Sequence, residues 1–189
     1  MSSERLWAPW RLAYITGQSA AEADPAVDRP LLPGGDKQCF LCRNVVDDRD
    51  RQNLVVYRGG GVMAVLNRYP YNNGHVLVAP QRHLARLDDL DRPLQVACLD
   101  LMTRLVNLLE KRLNAEGINL GLNLGRVAGA GVPGHLHWHI VPRWNGDTNF
   151  MPVVTDTRVI SQSLDAVWEL LAPALAEQAN DGTAGAGQA

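Results

Sequence analysis

The sequence predicts an α+β fold: an antiparallel sheet of about five strands, one long helix packed on a face, and a C-terminal helix. Short β-prone runs punctuated by glycine and proline supply the strands. Two stretches with apolar residues at helical spacing, one central and one near the C-terminus, supply the helices. The 189 residues, 46% hydrophobic and 20% charged, suit one compact unit and neither global disorder nor a fibrous repeat.

The elements follow in order. Residues 1–38 read as an N-terminal arm and loop. The arm carries Trp7, Trp10 and Tyr14 near Arg5 and Arg11, an aromatic density that suits packing on a body or a partner. Pro25, Pro30, Pro33, Gly34 and Gly35 then disfavour regular structure up to a turn holding Cys39 and Cys42. Leu54–Tyr57 and Val62–Leu66 flank Gly59-Gly60-Gly61 as a hairpin, and Gly74–Ala79 is a third strand that Pro80 ends. Asp91 caps a helix whose Leu94, Cys98, Leu101, Leu105 and Leu108 form one apolar stripe, with Gly117 closing it. Ile118–Leu124 and Leu136–Val141 are two more strands, separated by the glycine-rich loop 125–134. The last helix starts near Ser161 or Ser163 and uses Leu164, Trp168, Leu171 and Leu175, with Pro173 expected to kink or shorten it. Residues 151–179 therefore read as an extension with a helix, and 180–189, rich in glycine and alanine, as a disordered tail.

A formal net charge of −2 argues against a general polyanion-binding surface, so nucleic acid is not the expected partner. No apolar run approaches the roughly 20 residues that span a bilayer, and the N-terminus lacks a signal-peptide pattern, so no membrane partner is expected. Three cysteines fit a reducing compartment better than a disulfide framework, and the expectation is a cytoplasmic protein. Cys98, inside the leucine stripe, reads as a small buried hydrophobe.

Three of the five histidines, His135, His137 and His139, alternate with Leu136, Trp138 and Ile140. On a strand that alternation sets three imidazoles on one face about 7 Å apart and packs the apolar residues inward. Neutral imidazole near pH 7 can be nucleophile, acid or hydrogen-bond donor, which suits phosphoryl chemistry. The middle residue, His137, is placed to attack phosphorus while its neighbours and the loop amides stabilise the oxyanions. Three readings stand: covalent nucleotidyl transfer, a zinc-dependent hydrolase using the His-x-His geometry, and a nucleotide-binding regulator with little turnover.

The run His135-Leu136-His137-Trp138-His139-Ile140-Val141, followed by Pro142-Arg143, resembles the signature of the histidine-triad (HIT) family. Asn67–Pro80, with its N-x-G-H step, is similar to the family's ribose-receiving segment, and the likeness covers roughly residues 39–150. The resemblance implies a HIT-like fold, a homodimer, no organic cofactor, and cleavage of dinucleoside polyphosphates through a nucleotidyl-histidine intermediate. It makes His137 the nucleophile, with His135 and His139 assisting. Asn67 would bind the ribose hydroxyls, and Asn123 with the glycine loop the phosphates. Leu6–Arg11 and Pro142–Phe150 are similar to a bacterial branch that includes diadenosine tetraphosphate phosphorylases. Where other members place glutamine and then a hydroxyl residue before the first histidine, this chain has Gly131 and Val132. That departure leaves space for inorganic phosphate as acceptor in place of water. Arg143 reads equally as a phosphate contact or a solvated surface residue.

Cys39-Phe40-Leu41-Cys42 alone is compatible with a zinc half-site, a redox pair or an empty reduced pair. The family resemblance adds His83 and His135, which completes a structural Cys₂His₂ zinc site and assigns His135 to the metal. Trp7, Trp10 and Trp144 would suit the dimer interface, or equally local packing.

Overall fold

A computed structural model describes residues 29–155 and 159–184; Trp7 and Trp10 and the rest of the arm lie outside the described residues. Strands β1 (Val55–Gly59), β2 (Val62–Leu66), β3 (Val76–Pro80), β4 (Gly117–Leu122) and β5 (Trp138–Arg143) form one antiparallel sheet in the order β1-β2-β3-β5-β4. Helices α1 (Phe40–Val46), α2 (Arg92–Leu113), α3 (Met151–Thr155) and α4 (Leu164–Ala184) complete it, so the expected α+β class holds. β1 and β2 join through the two-residue turn Gly60-Gly61, whose φ values of 58° and 78° match the hairpin turn that follows strand twist.

Strand alternation divides the interior in two. Val62, Ala64 and Leu66 of β2, Val76 and Val78 of β3 and Ile140 of β5 face α2 and α4. Met63 and Val65 of β2 and Ala79 of β3 face the other way, against Leu41 and the cysteines of α1 and its cap. All five expected stripe residues of α2 are buried, joined by Met102 and Leu109. Burying a side chain such as Leu105 completely stabilises the fold by about 1.5–3 kcal/mol.

Asp91 caps α2 as expected, accepting from Leu94 N at 3.0 Å. The helix stops earlier than Gly117, at Asn114, which takes the left-handed conformation with φ 50° that asparagine tolerates and that satisfies helix-end carbonyls. Gly117 instead opens β4. α4 begins after Ser163, whose Oγ accepts from Ala166 N at 3.2 Å, and Pro173 does not shorten it. Proline removes a bond to the carbonyl of Glu169, but both residues lie on the exposed side, where water replaces that donor. The helix backbone continues to Ala184, into the segment expected to be a tail. The cysteine pair opens a short helix instead of a simple turn, with Cys39 at the cap of α1.

Candidate active site

β5 begins at Trp138, so His135 and His137 precede the strand and only His139 lies within its ladder, opposite Leu77 of β3. The three rings therefore do not share one face at an even 7 Å. The centroids of His137 and His139 stand 5.1 Å apart, while His135 turns away to meet His83 edge-on at 5.1 Å.

His137 is 6% exposed, and its Nδ1 lies 2.8 Å from the carbonyl oxygen of His135. A carbonyl only accepts, so Nδ1 carries the proton and donates, leaving the lone pair on Nε2. Burial holds the ring's pKa below the usual histidine value, partly offset by that backbone hydrogen bond, which keeps the nitrogen unprotonated at neutral pH. A buried, neutral imidazole with a fixed tautomer and an unshared pair on the outer nitrogen is a competent nucleophile.

His139 is oriented by His75, a residue given no role from the sequence. The backbone N–H of Tyr71 donates to His75 Nδ1 at 3.1 Å, and Asn67 Nδ2 reaches the same nitrogen at 3.3 Å. His75 Nδ1 is thus an acceptor, its proton sits on Nε2, and that N–H donates to His139 Nδ1 at 3.0 Å. The proton of neutral His139 is then on Nε2, the nitrogen directed away from His75. Burial, reinforced by the neighbouring imidazoles, pushes the His75 pKa down to about 3. Tyr71 stacks on His139 at 5.7 Å and 17° and leans on His75 at 4.6 Å. The available signal for His75 was arithmetic: with the triad and His83 assigned, it is the histidine left over, at the head of a strand that pairs with the triad strand.

Asn67 sits where the chain leaves β2, half-buried, with Oδ1 accepting from Tyr69 N at 2.9 Å as in an Asx turn. Gly74, next to His75, has φ 70°, and a Cβ there would come within 2.6 Å of Leu113. Asn123 follows β4, half-buried, at the start of the loop that contains the exposed Gly131 and returns to His135. Arg143 is bound to Asp147 at 2.6 and 3.0 Å and to Asn119 Oδ1 at 2.8 Å, so its charge is met within the protein. Trp144, half-buried, donates from Nε1 to Leu113 O at 3.2 Å.

Cys39, Cys42, His83 and His135 converge with their ligand atoms all within 4.8 Å of one another. His135 Nδ1 lies 3.3 Å from Cys39 Sγ and 3.5 Å from Cys42 Sγ, and His83 Nδ1 lies 3.1 Å from Cys42 Sγ. Sulfur and nitrogen ligands at usual metal distances sit about 3.6 Å apart across a tetrahedron edge, so the set fits one ion. The outer nitrogen of His135 donates to Pro80 O at 2.8 Å, which leaves Nδ1 as the ligating atom, the arrangement common behind metal-bound histidines. Burial pushes the Cys39 thiol up to about 12 and the His135 imidazole down to about 4. The Cys39 sulfur, held as a thiol by burial, ionises more readily beside a metal cation. A Cβ on Gly134 would stand 3.0 Å from His83 Nε2, so the chain presses closely on this ligand.

Residues 49–146, more than half of the chain, match the HIT domain family. Over 183 residues the chain is 36% identical to an AP-4-A phosphorylase of Mycobacterium tuberculosis, covering 93% of this chain and 86% of that protein. The chain belongs to the HIT family. Another match is the asymmetrical bis(5'-nucleosyl)-tetraphosphatase of Schizosaccharomyces pombe, 42% identical over 94 residues, about half of each protein. Among solved structures, a Zn-bound histidine triad family protein from Mycobacterium smegmatis aligns with TM-score 0.60 and 25% identity, over 78% of this HIT chain and 99% of the other.

Proposed function

We propose that this HIT protein cleaves the phosphoanhydride of dinucleoside polyphosphates such as diadenosine tetraphosphate, with His137 Nε2 as the nucleophile. The hydrogen bond from His137 Nδ1–H to the His135 carbonyl carries the reading, because it exposes the lone pair on the outer nitrogen. Nε2 attacks the α-phosphorus, a P–N bond forms, and the bond to the departing polyphosphate oxygen breaks. His139 donates its Nε2–H to an α-phosphate oxygen, a charge-assisted bond that strengthens as negative charge gathers there. Asn67 receives a ribose hydroxyl on the second lone pair of Oδ1, and Asn123 with the glycine loop meets the phosphates. The HIT relatives named as a phosphorylase and a tetraphosphatase support this substrate class.

An oxygen of inorganic phosphate then attacks the nucleotidyl group, frees His137 and releases a nucleoside diphosphate. Gly131 and Val132, without an amide or hydroxyl side chain, leave the room for it. Diadenosine tetraphosphate supplied with and without phosphate tests the step. ADP with ATP, formed faster with phosphate, is expected; equal rates giving only AMP and ATP contradict it.

Cys39, Cys42, His83 and His135 hold a structural zinc ion. Four protein ligands close the coordination shell and leave no open position, which supports a structural over a hydrolytic role. The bound metal ties the start of α1 to the end of β3 and the segment entering β5. The protein works as a homodimer in a reducing cytoplasm; the edge position of β4, with Leu120 half-exposed, and three unpaired buried cysteines support this. Sedimentation of the purified protein at twice the monomer mass is expected, and a monomer at micromolar concentration contradicts it. Among the described residues no helix is long and apolar enough to cross a membrane.

A further inference from the structure

We propose that Asn72 and Asp147 are positioning residues: they hold the turn 71–74 so that His75, and through it His139, keeps its proton on Nε2. This deepens the reaction assigned above to His137 and rests on that reading for its kinetic consequence.

The Asp147 carboxylate is 9% exposed and gathers donors from three directions. Oδ2 accepts from Asn72 Nδ2 at 2.8 Å, Arg143 Nε at 2.6 Å and Trp144 N at 3.2 Å. Oδ1 accepts from Arg143 Nη2 at 3.0 Å and Thr148 Oγ1 at 3.3 Å. Asn72 spends its second amide hydrogen on Pro142 O at 3.1 Å, so one side chain is pinned once to β5 and once to the turn that follows it. Its carbonyl accepts from His75 N at 3.3 Å, and its Oδ1 from Asn73 N at 3.0 Å. The turn that presents Tyr71 N–H to His75 Nδ1 is therefore anchored on the β5 side through Asn72.

Without the anchor, the Tyr71 N–H that faces His75 Nδ1 loses its alignment and the ring can take its proton there. His75 Nε2 then becomes an acceptor, His139 reverses its tautomer, and the outer His139 nitrogen, assigned above to the phosphate, carries a lone pair. Phosphate oxygens only accept, so that pairing repels where the native one attracts. Neither Asn72 nor Asp147 touches the reacting atoms in this scheme.

Ring ¹⁵N NMR of the zinc-loaded protein, with steady-state turnover of diadenosine tetraphosphate, tests the proposal. The wild type is expected to show His75 and His139 both protonated on Nε2. Asn72→Ala is expected to mix both tautomers and lower kcat about tenfold with KM within about twofold, while the His137 tautomer and zinc content stay unchanged. Asp147→Ala should act likewise, and Asp147→Asn, which keeps a carbonyl acceptor for Asn72, should restore the native tautomers. Wild-type His139 protonated on Nδ1 overturns the proposal even if a variant fails to fold. So does Asn72→Ala with native tautomers, whatever its activity. Turnover surviving in His137→Ala would sink the assigned reaction, yet the ring spectra taken without substrate would still judge the positioning.

Discussion

His137 and His139 stand two residues apart and carry opposite tautomers, each set by a different part of the backbone. The His135 carbonyl claims the inner proton of His137, and the Tyr71 amide, acting through His75, moves the proton of His139 to its outer nitrogen. One presents a lone pair and the other a hydrogen, which is what attack on a phosphate monoanion needs from adjacent groups. His137→Ala should lower turnover of diadenosine tetraphosphate at least about 10³-fold while nucleotide binding, followed by calorimetry, stays within about threefold. His75 makes a second prediction. Its folded pKa, about 3, lies below the ordinary 6.5, so the unfolded chain binds this proton first as pH falls. The contribution is fully present above pH 6.5 and is lost as pH falls toward 3, at about 1.4 kcal/mol per pH unit. Denaturant unfolding from pH 7 to 5 should show a shallower pH dependence in His75→Gln than in the wild type.

At the level of elements, the four candidate zinc ligands come from the cap and first turn of α1, the loop after β3 and the segment before β5, pieces far apart in the chain. Removing the metal should leave that side of the sheet without its tie, lowering Tm by about 10 °C or more in thermal unfolding with a strong chelator. Gly134→Ala would press on His83 and weaken zinc about 10- to 100-fold in a competition titration, with fold retained. The five strands and α2 were legible because their apolar spacing is local. The same holds for the cysteine pair and the alternating histidines; the expected division of the triad between metal and catalysis came from the family resemblance. Asn114 as the end of α2 was not legible, since glycine three residues on is the stronger local stop signal and only the built turn shows which residue took the left-handed backbone. Nor was His75, whose importance comes from β3 lying beside β5, a pairing fixed by the sheet and not by sequence neighbours. Arg143 was undecidable for the same reason: Asp147, four residues on, answers its charge only once the chain turns at Gly146.

For the whole molecule, the HIT match ends at residue 146, yet the core does not. Val167, Leu171, Ala174 and Leu175 of α4 are buried with α2 and the sheet, and Trp168 donates from Nε1 to Val55 O at 2.8 Å. Arg51 adds exposed ion pairs to Asp165 and Glu169 that contribute little by comparison. Leu171→Ala should destabilise the fold by about 2–5 kcal/mol in urea unfolding, as a helix outside the catalytic unit would not. The extension thus braces the hairpin side of the sheet while α1, which carries two of the four candidate metal ligands at its cap and first turn, packs on the opposite face, and His137 and His139 lie where β3 meets β5. The proposed reaction turns on one event, transfer of a nucleotidyl group onto His137. Rapid quenching of the protein with diadenosine tetraphosphate in phosphate-free buffer, followed by peptide mass analysis, tests it most directly. One adenylyl group on the peptide containing His137, discharged as ADP when phosphate is added, is the expected result; an adduct on another residue, or turnover with no adduct in wild type and undiminished in His137→Ala, would contradict it.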